Sequence, residues 1–384
     1  DPSLPMSTWM DEFLLRLLAW PGCTLLKERD IKPGKLKTIS QVLQLCREHH
    51  QELESGRGSS TGLVFLHENV KRRKPDSKST DNSIRICIAQ TVRPILENDN
   101  PNNDCDNTDP EFNRPGVRRD LRRHLRAIIS GISQMLIVRD THRDRGHRLD
   151  WLILPELSVH TDDIRPILVP FVRQHKCLVM AGLIYHRIAA ARNLVNEALW
   201  LIPSWNSIGS LNLHAIYQGK ENLAPDEKNT FGSQIQGHRL CQWILDYHWS
   251  SGRERPLKLT GSICYDATDL RLASDLRERS DIYAISAYNR DVSTFDTMTQ
   301  ALHYHMYQMV ILANNGTFGG SNAYLPYRAQ YKRQIFHVHG QPQVAISFLE
   351  IDDPMELINR GESAIHMQQN QERIWKHPPA GWKV

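Results

Sequence analysis

The stretch that decides the fold is WLILPELSVHTDDIRPILVPFVRQHKCLVMAGLIY, residues 151–185, in which two apolar runs flank an amphipathic one. The outer runs, residues 151–154 and 178–185, are short and apolar throughout, which is typical of buried strands. The run between them, residues 162–174, has the spacing of an amphipathic helix. Strand, helix and strand in this order predict a sheet covered by helices.

The same alternation continues on both sides of this stretch. Further strands are predicted at residues 84–89, 197–202, 257–264, 282–286 and 310–313, and further helices at residues 121–135 and 295–309. Two late strands are predicted within residues 334–351. The alternation of apolar strands and amphipathic helices predicts an α/β sandwich.

The first eighty residues have a different pattern. Ser7 and Thr38 each stand where a side chain can cap a helix ahead of an apolar face, so we expect a small helical segment here. The basic run at residues 71–78 has no apolar residue to bury and is predicted to be a linker. We therefore predict a helical segment and basic linker at residues 1–80, a main domain at 81–358 and a tail at 359–384.

Composition excludes several classes of protein. The 384 residues are 23% charged and 40% hydrophobic, which suits a large core and excludes a disordered chain. There is no run of about 18 apolar residues, so no transmembrane helix and no membrane partner are expected. The net charge of +4 is too small to predict a nucleic-acid binder by itself. A chain that begins at Asp1 rather than Met is expected to be a piece of a longer protein.

The cysteine pattern indicates a cellular compartment and does not indicate a disulfide framework or a metal site. Seven of them are spread along the chain, an odd number without a C-x-x-C pair. This spacing predicts neither a disulfide framework nor a metal site, and it favours a reduced, cytoplasmic location. The two histidines His303 and His305 lie two apart on a predicted helix and would face different directions. No metal and no cofactor are predicted.

Three short segments each carry a reactive side chain next to a predicted strand or turn. Pro155 precedes Glu156 and is expected to end the buried strand at residues 151–154, so that the carboxylate projects from the strand end. Lys220 lies in the turn-rich segment YQGKENLAP, and Cys264 leaves an apolar strand in GSICYD. Taken alone, each has an ordinary explanation: a carboxylate at a helix start, a solvated lysine and a small buried thiol.

Together these segments make the chain resemble the carbon–nitrogen hydrolase (nitrilase) superfamily. The resemblance runs from Ile84 to about Ile351: a strand ending Ala-Gln, then P-E, K-x-x-L and C-Y-D motifs in that order, with later SAYN and ANNG segments. It implies a four-layer αββα sandwich that assembles into homo-oligomers. It also implies a small-molecule amide or nitrile as substrate.

The chemistry of such a set is coherent. Opening an amide or nitrile carbon requires a nucleophile stronger than water. A thiol serves once it loses its proton, and Glu156 can take that proton from Cys264 and return it to the leaving amine. The ammonium of Lys220 and a backbone N–H just after the cysteine can stabilise the oxyanion. The resemblance implies a second carboxylate near the lysine, for which Glu227 is the best match, with Glu221 and Asp226 as rivals.

The resemblance also implies substrate contacts from three further residues, namely Tyr265, Asn289 and Asn314. The chain departs from the family pattern at two points. Asn222 stands where a histidine often follows the lysine, and the segment Ala267–Arg271 replaces a Phe-Pro-Glu element after the cysteine. Since these positions line the entrance in relatives, the departures leave the substrate open.

We therefore predict a thiol hydrolase of a non-peptide C–N bond, an amide before a nitrile. The alternative is a catalytically degenerate module for assembly or nucleic-acid association. Nitrilase-like domains occur fused to bacterial defence-associated antiviral reverse transcriptases, which makes this context one to consider. The basic residues Lys71–Lys74 and the arginines at 118–126 fit either solvated surfaces or phosphate contacts.

Overall fold

The computed structural model describes residues 38, 61, 63–72, 83–92, 115–140, 148–187, 193–205, 209–239, 241–249, 255–365 and 374–382. The two helices predicted in the N-terminal segment, and most of the basic run at residues 71–78, lie outside these residues. No helix of the described part is long and apolar enough to cross a membrane.

Most of the described strands belong to two mixed sheets. In chain order the strands are β1 (Val64–Lys71), β2 (Ile84–Gln90), β3 (Trp151–Val159), β4 (Leu178–Leu183), β5 (His186–Arg187), β6 (Leu194–Val195), β7 (Glu197–Trp205), β8 (Leu211–Gly219), β9 (Cys241–His248), β10 (Leu257–Ile263), β11 (Ile282–Ala287), β12 (Met309–Asn314), β13 (Ser321–Tyr324), β14 (Gln334–Val338) and β15 (Ala345–Ile351). One sheet has the order β15-β2-β3-β4-β7-β8 and the other β1-β9-β10-β11-β12-β13-β14. Each has parallel strands at its centre, β2-β3-β4 in one and β10-β11-β12 in the other.

Helices connect and cover these strands. They are α1 (Pro115–Asp140), α2 (Thr161–Asp163), α3 (Val169–His175), α4 (Pro225–Phe231), α5 (Leu270–Leu276), α6 (Val292–His305), α7 (Gln330–Arg333), α8 (Pro354–Ile358) and α9 (Arg360–Ile365). A π-helical turn, Ile164–Leu168, joins α2 to α3, so residues 161–175 form a continuous helical segment where one helix was predicted.

Burial along β3 shows how the layers are ordered. Trp151 and Ile153 face the other sheet. On this face, Trp151 stacks on Trp200 of β7, in the same sheet, with ring centroids 5.4 Å apart. Leu152 and Leu154 face the opposite way, into a core shared with α1 and α3. Side chains of α5 and α6 pack against the seven-stranded sheet. The order is therefore helix, sheet, sheet, helix, which confirms the predicted four-layer αββα sandwich.

The sheet begins earlier than the sequence analysis expected. Residues 64–71 were assigned to the N-terminal segment, but they form β1, which pairs in parallel with β9. The strand has a period of two, with Val64, Leu66 and Val70 buried, yet Glu68 also faces inward and hides the alternation. The division of the chain into three parts stays a prediction, with the correction that the seven-stranded sheet starts before residue 81.

The residues assigned to a tail also pack on the sandwich. Arg360 of α9 is buried, and its guanidinium donates to Asp281 Oδ1 at 2.8 Å. Trp382 packs edge-on against Tyr307, with ring centroids 5.1 Å apart. The segment after residue 358 is thus fixed to the main domain at both described ends.

The arginines at the start of α1 are partly committed to a structural contact. Arg118 and Arg122 both donate to the fully buried carboxylate of Asp163, the latter at 2.6 Å. Arg119, Arg123 and Arg126 are exposed. Two of the five arginines therefore hold α1 against α2, and three remain on the surface.

Candidate active site

A break in the pairing of β3 positions Glu156. The strand pairs with β4 up to Leu154, and the pairing resumes at Val159 after a shift in register. Pro155 therefore starts a bulge and does not end the strand, contrary to the prediction. Leu157 adopts a left-handed φ of 58°, which turns the chain between the two paired segments. The break aims the Glu156 side chain into the interior, where it is 2% exposed.

A close approach of two strands fixes this carboxylate from behind. A Cβ atom on Gly182 of β4 would lie 2.3 Å from Glu156 Cα, well inside any permitted contact. The absence of a side chain at residue 182 thus lets β4 support the bulge directly.

Lys220 is the first residue after β8. Its backbone N–H donates to the Asn196 carbonyl at 2.9 Å, and its own carbonyl accepts from the His238 N–H at 2.8 Å. The preceding Gly219 lies so close to the His238 carbonyl that a Cβ there would be 1.6 Å from the oxygen. These contacts hold the lysine backbone on both sides, and the ammonium is almost fully buried.

Cys264 follows β10 and begins a short 3₁₀ helix, Cys264–Thr268. Its φ is 43°, in the left-handed region that non-glycine residues seldom occupy. Such conformations persist where the surroundings fix them, and they concentrate at functional sites. The residue is 6% exposed and lines a cavity that also reaches Glu156 and Lys220.

These three side chains meet, together with Glu227. The Lys220 Nζ lies 2.9 Å from Glu156 Oε1 and 2.6 Å from Glu227 Oε2. Glu227 is the third residue of α4, and its Oε2 also accepts from the Ala224 backbone N–H at 2.7 Å. A helix start therefore holds the second carboxylate, as the resemblance implied for this residue.

The two rivals for that place point elsewhere. Glu221 accepts from the Arg239 backbone N–H at 3.2 Å. Asp226 is exposed and forms an ion pair with Arg290 at the mouth of the cavity. Neither has an ion pair with Lys220 in the described part of the chain.

Asn196 joins the two carboxylates from the other side. Its Nδ2 donates to Glu156 Oε1 at 2.7 Å and to Glu227 Oε1 at 3.0 Å, and the residue is fully buried. Tyr185 adds a hydroxyl that donates to Glu227 Oε1 at 3.1 Å. Neither residue was predicted from the sequence. The polar pair Asn196-Glu197 between the apolar pairs Leu194-Val195 and Ala198-Leu199 is the signal that could have found Asn196.

The thiol and the base are linked through β11. The Cys264 thiol lies close enough to Glu156 for the carboxylate to act on the pKa of the thiol, and both groups lie near the Tyr288 backbone N–H. The same N–H donates to Glu156 Oε2 at 2.8 Å. Tyr288 directly follows β11, which packs against β3, so the contact between the two sheets brings this donor to the site.

Burial and neighbouring charges shift the pKa values of Glu156, Lys220 and Cys264. Desolvation raises the pKa of the Glu156 carboxyl, while the ammonium of Lys220 acts against this rise. Desolvation would lower the pKa of Lys220, but the nearby carboxylates of Glu156 and Glu227 outweigh it and raise that pKa above its usual value. Desolvation, and then the charge of Glu156, raise the pKa of the Cys264 thiol. These shifts favour a protonated thiol and a protonated Lys220 ammonium in the resting site.

Asp266 ties the lysine loop to the cysteine turn. Its buried carboxylate accepts from the Asn222 backbone N–H at 2.7 Å, from the Asn222 side-chain amide at 3.0 Å and from Arg239 at 3.1 Å. Asn222, the departure from the family pattern, thus serves as a donor to the residue two after the cysteine. The K-x-x-L and C-Y-D motifs are connected by this one side chain.

The cavity above the thiol has a volume of roughly 590 Å³, within the range of small-molecule sites. Two of the three predicted substrate-contact residues, Tyr265 and Asn289, line it. The structure does not bring Asn314 there. Its side chain is buried and donates to the Asn289 carbonyl at 2.8 Å, while its oxygen accepts from the Asn289 N–H at 2.9 Å. Asn314 therefore supports Asn289 from behind the cavity wall.

Sequence comparisons identify no relative of this chain. No protein-family profile matches it, and no curated protein does. Among the described residues, no cluster of three or more His, Cys, Asp or Glu side chains could hold a metal ion.

Solved structures with a similar arrangement come from the nitrilase superfamily. Saccharomyces cerevisiae Nit3 is 11% identical, with 76% of this chain and 97% of that chain covered and a TM-score of 0.48. The CN-hydrolase superfamily protein XC1258 from Xanthomonas campestris is 14% identical, with 72% and 93% covered and a TM-score of 0.44. A variant of the Nesterenkonia sp. AN1 amidase with the acetamide moiety of fluoroacetamide on its active-site cysteine is 12% identical, with 73% and 95% covered and a TM-score of 0.45. Likeness at this level assigns neither a family nor an activity.

Proposed function

We propose that this chain is a thiol hydrolase that opens a non-peptide carbon–nitrogen bond, in an amide rather than a nitrile, through an acyl-enzyme on Cys264. The observation that carries the proposal is the convergence of four side chains from four separate segments, Glu156, Lys220, Glu227 and Cys264, on one cavity. Two carboxylates around one buried ammonium, beside a thiol in a strained backbone conformation, suit this chemistry better than they suit a packed core.

The first step uses the thiol and Glu156. As the Cys264 sulfur attacks the amide carbon, its proton passes to the carboxylate of Glu156, which lines the same cavity. Burial raises the pKa of Glu156, which brings it closer to that of the groups with which it exchanges protons. The protonated Glu156 then gives this proton to the leaving nitrogen as the carbon–nitrogen bond breaks, and a thioester remains.

Lys220 is suited to hold the oxyanion that forms in between. An ammonium has three N–H donors, and two of them are engaged by Glu156 and Glu227. The third is available to the substrate oxygen, and the backbone N–H of Tyr265 is a second candidate donor. A donor fixed in a water-poor site is worth about 3–4 kcal/mol to such a step. Glu227 acts as a positioning residue that keeps the ammonium in place.

Water completes the reaction by the same route. Glu156 takes a proton from a water molecule as its oxygen attacks the thioester carbon, and returns that proton to the departing sulfur. The products are the carboxylic acid and free Cys264. The pathway requires no metal or cofactor to balance its atoms and charges.

The test is to trap the acyl group. Incubating the protein with acetamide or another small amide, then measuring intact mass, should reveal an acyl adduct on Cys264 and release of ammonia. Cys264→Ala should show neither, with its circular dichroism unchanged. The matched control is Cys241→Ala, since Cys241 is also buried but does not line this cavity. Turnover by Cys264→Ala would overturn the proposal.

The alternative, a degenerate module for assembly or nucleic-acid association, gains no support from the site, because each required side chain is present and connected. Among the described residues, the three exposed arginines of α1 would suit nucleic-acid association. Association with a reverse transcriptase, homo-oligomer formation and a cytoplasmic location stay predictions. The four cysteines of the described part are free thiols, as a reduced compartment would require.

A further inference from the structure

We propose that the substrate is an uncharged amide whose acyl group is apolar and about the size of an aromatic ring, and that the site selects against acyl groups that carry a carboxylate. The inference rests on the proposed function, because it concerns the same cavity.

Six of the residues that line the cavity are aromatic, and four of these form two ring pairs. Tyr185 and Phe231 form one edge-to-face pair with ring centroids 4.8 Å apart, and Tyr288 and Phe318 form another at 5.0 Å. All four residues line the cavity. The pairs come from separate parts of the chain, so the rings are held by tertiary packing and not by one mobile loop.

Two polar groups of these residues are committed to the catalytic side chains. The Tyr185 hydroxyl donates to Glu227, and the Tyr288 backbone N–H donates to Glu156. What these residues present to a ligand is therefore mostly ring carbon. An apolar acyl group gains from burial against such surfaces, whereas a charged one loses hydration there and gains no partner from the ring carbons.

The charges around the cavity point the same way. Among its lining residues the cations are Lys220 and Arg290, and the acids are Glu156, Glu227, Asp226 and Asp291. Lys220 already lies between two carboxylates. Arg290 is paired with Asp226 at the mouth, where both side chains are mostly exposed. A carboxylate entering the cavity would meet more negative than positive charge.

The size of the cavity is compatible with an amide whose acyl group is about as large as an aromatic ring. Roughly 590 Å³ accommodates a substituted benzamide with room for the departing ammonia. An acetamide-sized substrate would leave much of the aromatic wall without a contact, so it should bind more weakly.

A matched series of amides tests the inference. The probes are para-methylbenzamide, para-carboxybenzamide and acetamide, with kcat/KM measured by ammonia release and acylation of Cys264 measured by intact mass. We expect para-methylbenzamide to exceed both others by about 10-fold or more in kcat/KM. Equal or faster turnover of para-carboxybenzamide, or acylation by acetamide without acylation by either benzamide, overturns the inference while the proposed function stands. No acylation by any of the three overturns both.

A variant at the mouth tests the charge argument directly. Asp226→Asn removes the partner of Arg290 and leaves a cation at the entrance. The kcat/KM ratio of para-carboxybenzamide to para-methylbenzamide should then rise several-fold, and this rise should shrink at high salt because the arginine is exposed. The control Glu278→Gln removes an exposed carboxylate that does not line the cavity, and should leave the ratio unchanged. An unchanged ratio in Asp226→Asn contradicts the role given to the Asp226–Arg290 pair.

Discussion

Two buried carboxylates, one just before strand β3 and one in its bulge, differ in their surroundings. Asp150, just before the strand, accepts from the Arg85 backbone N–H at 2.8 Å and the Tyr247 hydroxyl at 2.7 Å, and it pairs with Arg148 at 3.2 Å. Glu156, in the bulge, accepts from Lys220, Asn196 and the Tyr288 N–H. Both are 2% exposed.

The comparison separates burial from function. Desolvation raises the pKa of Asp150 and of Glu156 alike, so a raised pKa does not tell them apart. What differs is the set of groups next to each carboxylate. Asp150 faces arginines, which keep their protons, and it does not line the cavity. Glu156 lines the cavity beside a thiol that can give up a proton. A buried carboxylate marks a reaction site when a group able to exchange protons and room for a ligand accompany it.

The largest expected effect is at Glu156. Replacing it by glutamine keeps the shape and removes the proton acceptor, so kcat/KM for the amides above should fall by about 10²–10⁴-fold. Thermal unfolding monitored by circular dichroism should show a folded protein, because glutamine can still accept from Lys220. A loss of less than about 10-fold would mean that another group acts as the base.

Asp150 should show the opposite response, in stability and not in chemistry. Asp150→Ala leaves the Arg85 N–H and the Tyr247 hydroxyl buried without an acceptor, each at a cost of about 1–3 kcal/mol. Unfolding in urea should therefore show a loss of about 3 kcal/mol, while kcat/KM of the folded protein is unchanged.

The matched variant Asp150→Asn separates charge from hydrogen bonding at this position. It retains an oxygen acceptor, and burial already raises the pKa of Asp150, so that the ionised form gains little from the fold. It should lose much less stability than Asp150→Ala. Equal losses in the two variants would show that the negative charge, and not the acceptor, stabilises this end of β3.

The architecture and the central side chains could be predicted from the sequence because their signals lie in short stretches of it. Strands such as residues 151–154 and 178–185 are continuous apolar runs, and Glu156, Lys220 and Cys264 each lie in a recognisable motif near a strand end. Strand β1 was missed because Glu68 faces inward, 3.9 Å from His214, and interrupts the apolar alternation.

Other features depend on contacts that no local pattern records. Pro155 is followed by more strand because Val159 pairs with Leu183 across the bulge. Asn314 belongs to a matching motif, yet its amide is used by the backbone of Asn289. Asn196 is important here because it meets two carboxylates that lie 40 and 31 positions away along the chain.

Asn196 offers the subtlest test of the difference between the two carboxylates. Its amide N–H bonds to the ionised form of Glu156 and so lowers the pKa of that group. In Asn196→Ala the pKa of Glu156 should rise further, and the base form then persists only at higher pH. The acid limb of the kcat/KM profile should move upward by about one pH unit, since a hydrogen bond to a charged group is worth about 1.5–3 kcal/mol.

The direction of that movement distinguishes positioning from general support of the fold. A merely structural loss would lower kcat/KM at every pH and leave the limb where it is. Asn196→Ser, which keeps one short donor, should recover part of the displacement. If the limb stays fixed or moves to lower pH in Asn196→Ala, the amide does not act through Glu156, and the shared donor between the two carboxylates has no part in setting the proton affinity of the base.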